Sequence, residues 1–343
     1  MTGELSDHEQ TMLRNSVRAL LTGRGERTWA ELIGGVGLGA ALLDPRQGAI
    51  VAEEIGRARA ALPFAAAATG RWLLAQHGVS ALSDTAIAVL AWAEPGLRYD
   101  LADIEAAARP EGDGWRIEGT KSIVGWSPAC DALLVAVRTS GAAGERSGLS
   151  LFRVDPTATD GLRRHAYRTI DGHPAADLMF DDCRLTADAR IGPAGRAIDL
   201  IEEARDRAMA LLAAEAVGLL DSLLEQTLSY TGQRRQFGQP IGEFQALQHR
   251  MVDMYLECEL ARSSAWLAVE ALGEEAAVRQ RAVSSAMVNI SRACRFVGQQ
   301  AIQLHGGMGM TDELPVGHYV KRAMAIEVEW ADTDWHLARI AGL

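Results

Sequence analysis

Apolar residues recur at helical spacing toward both ends of the chain and at strand spacing in the middle. Leu13, Val17 and Leu20 fall on one face of a helix that Ser6 and Glu9 would open as a capping box. Asp44-Pro45, an N-cap followed by a residue whose fixed φ suits the first turn, predicts a second helix through Ile50, Ile55 and Ala58. Pro63 interrupts that pattern, and an alanine-rich run resumes it toward Gly78. From 85 to 190 the period changes. Short apolar or alternating runs predict strands at 86–90, 115–117, 132–137, 149–154 and 177–180, with a turn at Gly112-Asp113-Gly114. Short strands punctuated by turn residues suggest a small barrel or sandwich. From 191 onward Phe244, Leu247, Met251, Met254, Cys258 and Ala261 keep three- and four-residue spacing, as do Val283, Met287, Ile290, Cys294, Val297, Ala301 and Leu304. With the helix that precedes Arg234, these predict an antiparallel bundle. The chain therefore reads as α+β, with a helical segment at 1–84, a β-domain at 85–190 and a helical bundle at 191–343.

Composition narrows the function classes. The 343 residues are 48% hydrophobic and 23% charged, ordinary for a globular protein. A net charge of −11 disfavours nucleic acid and anionic membranes as partners, so a phosphate-bearing ligand would need a local basic pocket. Lysine occurs only at Lys121 and Lys321, so nearly all positive charge is arginine, which reads as coding bias. Cys130, Cys183, Cys258 and Cys294 lie far apart without a CxxC pair, so buried thiols of a reducing compartment are expected, with no disulfide frame and no metal site. Residues 1–10 are polar and acidic, and the most apolar helical stretch, 208–224, is interrupted by Glu215 and Asp221. A cytoplasmic protein without a leader or a membrane span is expected.

Two places carry candidate chemistry. Arg234-Arg235-Gln236-Phe237-Gly238-Gln239-Pro240-Ile241-Gly242 sits between two long amphipathic helices. Guanidinium groups grip a pyrophosphate bidentately, and an aromatic can lie against a flat heterocycle. The plainer alternative is a helix C-terminal cap, with the arginines facing the macrodipole and Gly238 ending the turn. Gln303-Leu304-His305-Gly306-Gly307-Met308-Gly309-Met310 ends the most regular helix. Its glycines let backbone approach a ligand closely, and a glycine-rich helix stop is the alternative.

Together the two motifs resemble the acyl-CoA dehydrogenase family. "RRQFGQPIGEFQA" is similar to that family's R-x-x-F-G-x-x-I-x-x-x-Q, and "QLHGGMGMTDELPV" to its Q-x-x-G-G-x-G-[aromatic or Met]-x-x-E-x-P-V. The resemblance implies an N-terminal helical domain, a middle β-domain and a C-terminal four-helix bundle. It also implies FAD as cofactor and α,β-dehydrogenation of acyl-CoA thioesters, with an electron-transfer flavoprotein or similar acceptor. In that family the first motif reaches the FAD of the neighbouring subunit. By resemblance Arg234 and Gln236 contact the diphosphate, Phe237 packs beside the adenine half, and Gln303, Gly306 and Gly307 lie beneath the same cofactor. The carboxylate that removes the α-proton would need raised basicity from an apolar pocket.

The family's customary base positions hold no acid. One, counted fifteen residues after Pro315, is Trp330, with Glu329 adjacent as a weak fallback; the other is Ala208. In the β-domain, Ile123-Val124-Gly125-Trp126 stands where the family carries Trp-Ile-Thr or Trp-Ile-Ser, and 93–100 replaces a T-E-x-x-x-G-S-D loop. Trp126 is open to two readings, a substitute ring for the flavin or a core tryptophan. These losses, and the tail "ELPVGHYVKRA", resemble the short non-catalytic subunit of actinobacterial heteromeric acyl-CoA dehydrogenases that act on steroid side-chain CoA esters. The resemblance implies a homologous catalytic partner in an α2β2 assembly. A self-sufficient homo-oligomer using Glu329 as base and a flavin-free scaffold subunit stay open beside it.

Overall fold

The computed structural model describes residues 6–22, 28–39, 41–79 and 83–343. The helices of the described residues are α1 (Asp7–Thr22), α2 (Trp29–Val36), α3 (Pro45–Ala58), α4 (Phe64–Ala75), α5 (Ile198–Gln233), α6 (Gln245–Glu270), α7 (Ala276–His305), α8 (Val316–Ile326) and α9 (Thr333–Ala341). The strands are β1 (Ala88–Ala91), β2 (Ala107–Glu111), β3 (Gly114–Gly125), β4 (Ala132–Arg138), β5 (Leu149–Val154), β6 (Leu162–Arg168), β7 (Pro174–Leu185), β8 (Arg190–Ile191), β9 (Arg235–Gln236) and β10 (Gln239–Pro240). They divide between two compact units, one of Met1–Leu32, Asp44–Leu62 and Met209–Leu343, the other of Ile33–Leu43 and Pro63–Ala208.

In the helical unit the start signals act as their chemistry dictates. Ser6 and Glu9 close a reciprocal capping box, with Ser6 N–H donating to Glu9 at 2.8 Å and Glu9 N–H to Ser6 Oγ at 3.4 Å. Asp44 caps α3 by accepting from Arg46 and Gln47 N–H at 2.9 and 3.0 Å, ahead of Pro45 at the first turn. The backbones of α3 and α5 touch where they cross. A Cβ on Gly218 would lie 1.8 Å from the Glu53 carbonyl oxygen, and one on Gly56 1.9 Å from that of Glu215, so only glycine fits either place. Beside this crossing, buried Glu53 and Glu54 are paired. Arg14 reaches both at 2.8 and 2.9 Å, Arg18 reaches Glu54 at 2.7 Å, and Arg262 bridges Glu53 to Asp221 at 2.9 and 2.7 Å. The inward stripe of α7, from Val283 through Met287, Ile290, Cys294, Val297 and Ala301 to Leu304, is buried as its spacing predicts.

The second unit is built on one eight-stranded, largely antiparallel sheet in the order β6-β7-β3-β2-β4-β5-β8, with β1 parallel to β4. β5 occupies the predicted 149–154, and β4 exceeds its predicted span by one residue, Arg138. β7 runs from 174 to 185 where only 177–180 was expected, because its outward positions are polar and dilute the alternation. β6, Leu-Arg-Arg-His-Ala-Tyr-Arg, was not anticipated; it is an exposed edge strand whose charges face water. Helix α4 lies against β1 at Gly70, where a Cβ would meet the Ala88 carbonyl oxygen at 2.1 Å. Lys121 is wholly buried in β3, held by the Glu94 carboxylate at 2.6 Å and the Trp92 carbonyl at 3.2 Å. All four cysteines are buried free thiols. No described helix is long and apolar enough to cross a membrane.

Candidate functional site

The arginine motif is more than a helix cap: Arg234 N–H closes the last turn of α5, but Gly238 does not end that turn. Helix α5 ends at Gln233, and residues 235–240 fold back as the two-stranded hairpin β9–β10, in which Gln236 pairs with Gln239 and Arg235 with Pro240. The chain could not show this by pattern, since none of the paired side chains alternates apolar with polar. Phe237 and Gly238 form the two-residue loop with φ of +52° and +86°, the φ signature of a type I′ turn. Gly238 suits that turn. Phe237 does not, because a bulky L-residue in the left-handed region is strained by about 1–3 kcal/mol. Phe237 is 91% exposed, and the one aromatic ring it meets among the described residues is Phe244, edge-on, with centroids 6.2 Å apart and planes at 82°.

The base of the hairpin is rigid where its tip is open. Arg234 N–H donates to the Tyr230 carbonyl, and Ile241 N–H to the Arg234 carbonyl, each at 2.8 Å. Arg235 Nη2 donates to the Gly238 carbonyl at 3.0 Å, which braces the loop. Gly242 lies close enough to α5 that a Cβ would stand 3.2 Å from the Thr231 carbonyl oxygen. Arg234 and Gln236 are exposed, and the Arg234 guanidinium makes no hydrogen bond or ion pair among the described residues.

The glycine motif behaves partly as the helix stop that its composition allows. Gly306 terminates α7 with φ +61° and ψ −141°, a conformation essentially restricted to glycine, and its N–H donates to the Gln303 carbonyl. A 3-10 turn, Gly306–Met310, follows. Gln303, Gly306 and Gly307 are all exposed, and added Cβ atoms on either glycine would meet nothing within 4 Å. The preceding residue joins this motif to the first: the His305 ring stacks on Tyr230, with centroids 4.5 Å apart and planes at 27°. Two motifs some seventy positions apart are thus linked through one ring pair.

Glu329 is not on a helix. It lies in the turn after α8, where Arg322 Nη1 donates to its carboxylate at 2.8 Å. The other nitrogens of that guanidinium hold buried Glu215 at 2.6 and 3.0 Å. Trp330 and Ala208, at the two positions where the resemblance would place the base, are both buried.

In the sheet unit, Glu94 of the altered loop is engaged internally. It accepts Glu105 N–H at 2.8 Å, Ala106 N–H at 3.1 Å and the Lys121 ammonium. The β3–β7 register slips between Lys121 and Val124, and the extra residue, Ile123, takes φ +52° with its side chain 68% exposed. Asp177 Oδ1 fixes this bulge by accepting Ile123 N–H and Tyr167 O–H, both at 2.9 Å. Trp126, at φ +63°, is partly exposed and tilted against His173 with centroids 4.8 Å apart, which removes it from the core.

An exposed arginine, an unburied ring and two open glycine positions are suited to a large, flat, anionic ligand. Comparison with known proteins gives that ligand a class. Residues 188–341 match the acyl-CoA dehydrogenase C-terminal domain and residues 89–183 the acyl-CoA dehydrogenase middle domain. The chain belongs to the acyl-CoA dehydrogenase family, whose members use FAD. It is 30% identical to the human mitochondrial short-chain specific acyl-CoA dehydrogenase over 259 residues, which cover 75% of this chain and 62% of that protein. The chain thus spans less than two thirds of that relative's length. Among solved structures it superposes on a variant of the Tcur3481-Tcur3483 steroid ACAD with a TM-score of 0.83 at 27% identity, covering 98% of this chain and 97% of the other. The same score, at 23% identity, relates it to the ChsE4-ChsE5 complex from Mycobacterium tuberculosis, covering 100% and 97%. The helical ends and middle sheet are the family's fold.

Proposed function

We propose that this chain is the supporting subunit of a heteromeric, FAD-dependent acyl-CoA dehydrogenase, lending its hairpin arm to a flavin lodged mainly in a homologous catalytic partner. The observation that carries the reading is Phe237. A phenylalanine kept in a strained left-handed turn with its ring in water is a cost to the isolated chain, and it becomes intelligible if another surface covers that ring. In this reading Arg234 and Gln236 grip the diphosphate, Phe237 packs beside the adenine half, and Gln303, Gly306 and Gly307 approach the same nucleotide from the end of α7. Held by these residues, FAD would supply the acceptor for the hydride that leaves the acyl β-carbon. This chain's residues bind and orient, and the proton is taken by a partner's carboxylate, since Glu329 is engaged by Arg322. The steroid name of the Tcur3481-Tcur3483 neighbour supports a bulky ester as substrate, and the paired names of that neighbour and of the ChsE4-ChsE5 complex support a two-component assembly, which we take as α2β2; an electron-transfer flavoprotein or similar acceptor follows from the family resemblance.

Co-expression with a homologous subunit carrying the usual glutamate, followed by mass and flavin measurement, tests this. The expected result is one complex whose FAD content falls on Arg234→Ala. Stoichiometric FAD on this chain alone, bleached by acyl-CoA, would defeat the heteromeric reading. Unchanged flavin in the Arg234→Ala complex would defeat the arm and favour a scaffold.

A further inference from the structure

Tyr230 and His305 belong to neither motif's ligand-facing positions, yet they form a ring contact between the helices that carry them. The His305 ring is held from behind. His305 is 4% exposed, and its Nδ1 lies 2.8 Å from the Ala301 carbonyl. A carbonyl only accepts, so Nδ1 carries the proton and the ring's orientation is set. Burial pushes the imidazole pKa below its ordinary value, which keeps the ring neutral beside tyrosine. On the other side, Tyr230 is tied to the arm through its own carbonyl, which receives Arg234 N–H; the Arg234 carbonyl in turn receives Ile241 N–H across the hairpin's base. A continuous path therefore runs from α7, through two stacked rings, to the backbone of the arginine that opens the arm. One residue beyond His305 the chain turns at Gly306.

We propose that the Tyr230–His305 stack is a positioning element, setting the arm's base against the glycine turn so that both address one FAD. This rests on the arm reading above. The stack differs from ordinary core packing in that Tyr230 is only partly buried, so loss of its ring removes less apolar burial than loss of a core side chain would. An aromatic pair of this geometry contributes enough to alter ligand affinity by about three- to tenfold if binding requires it.

The test uses the FAD-loaded assembly, with FAD dissociation constants read by flavin fluorescence and the melting temperature of the flavin-free assembly read in parallel. Tyr230→Leu is expected to weaken FAD binding by about three- to tenfold, while Tyr230→Phe, which keeps the ring, binds as the parent does. Tyr230→Leu should lower the flavin-free melting temperature by no more than about 4 °C, the loss of one ring contact in a chain of this size, and Tyr230→Phe should leave it unchanged. Because Tyr230 acts through Arg234, the Tyr230→Leu and Arg234→Ala effects should be less than additive. If Arg234→Ala weakens FAD binding and Tyr230→Leu does not, the stack is not a positioning element, although the arm reading survives. If Arg234→Ala has no effect, the arm reading and this inference fall together. Equal losses in Tyr230→Leu and Tyr230→Phe, additive effects with Arg234→Ala, or a fall in the flavin-free melting temperature beyond about 4 °C would each overturn the proposal.

Discussion

Arg322 Nη1 binds the carboxylate of Glu329 at 2.8 Å while the rest of its guanidinium holds Glu215. The acid nearest the family's base position is therefore engaged by a cation that is itself only 5% exposed and cannot readily turn away. A proton acceptor must have an oxygen free to meet the substrate's α-carbon, and this pairing competes for that oxygen. Glu329→Gln keeps the shape and a hydrogen-bond partner for Arg322. Its expected effect on dehydrogenation by the assembled enzyme is less than about threefold, against the roughly 10²–10⁴-fold loss that follows removal of a general base. Steady-state kcat of the variant complex decides between them.

The same triad makes a stability prediction. Removing one partner from a buried pair leaves the other charge uncompensated, at a cost of about 3–5 kcal/mol. Arg322→Ala strands Glu215, which is 9% exposed, and should lower the denaturant midpoint accordingly. The double variant Arg322→Met with Glu215→Leu should recover most of the loss, because it removes both charges at once. Chemical denaturation of the three proteins checks this, and a double variant as unstable as the single one would contradict it.

What could be read before the fold was known follows from range. Asp44-Pro45 and Ser6 with Glu9 are local devices, and their caps form as their spacing implies. Leu149–Val154 declares itself because it is buried almost throughout and bounded by polar turns. β6 was invisible because an edge strand needs no apolar face, and β9–β10 because a two-residue hairpin is specified by its turn, where Phe237 hides the signal that Asn-Gly would give. The link between the two motifs was also unreadable. It depends on Tyr230 and His305 meeting across a bundle, a contact that no spacing along the chain encodes. Glu329 was legible as a candidate, but its engagement by Arg322, and through it Glu215, was not.

Lys121 gives a pH signature with a definite sign. Burial lowers its pKa from the ordinary 10.5 to about 8, against the opposing pull of Glu94. Between those values the folded protein binds fewer protons than the unfolded chain, so stability rises with pH across the window. The contribution is fully present above 10.5, is lost as pH falls toward 8, and is constant below that. A displacement of this size corresponds to about 3 kcal/mol. Lys121→Met should remove it, so that the stability difference between parent and variant changes across pH 8–10.5 and is flat below. Urea denaturation at several pH values would reveal this, and parallel curves would refute it.

Phe237 separates what the fold prefers from what a ligand would require. Asparagine tolerates the left-handed region far better than phenylalanine, and it is a favoured residue in the first loop position of a type I′ hairpin. Because the ring is almost wholly exposed, Phe237→Asn forfeits little beyond an edge contact with Phe244. The variant should therefore be more stable than the parent by about 1 kcal/mol in denaturant. If the arm lies on a flavin, the same change should weaken FAD retention in the assembled complex by about tenfold, the worth of a buried aromatic contact. The two effects run in opposite directions, which a general weakening of the fold cannot imitate. A variant that is both stabler and equally flavin-bound would show that the ring is not covered by the nucleotide, and the role of the hairpin would have to be sought at a contact with protein instead.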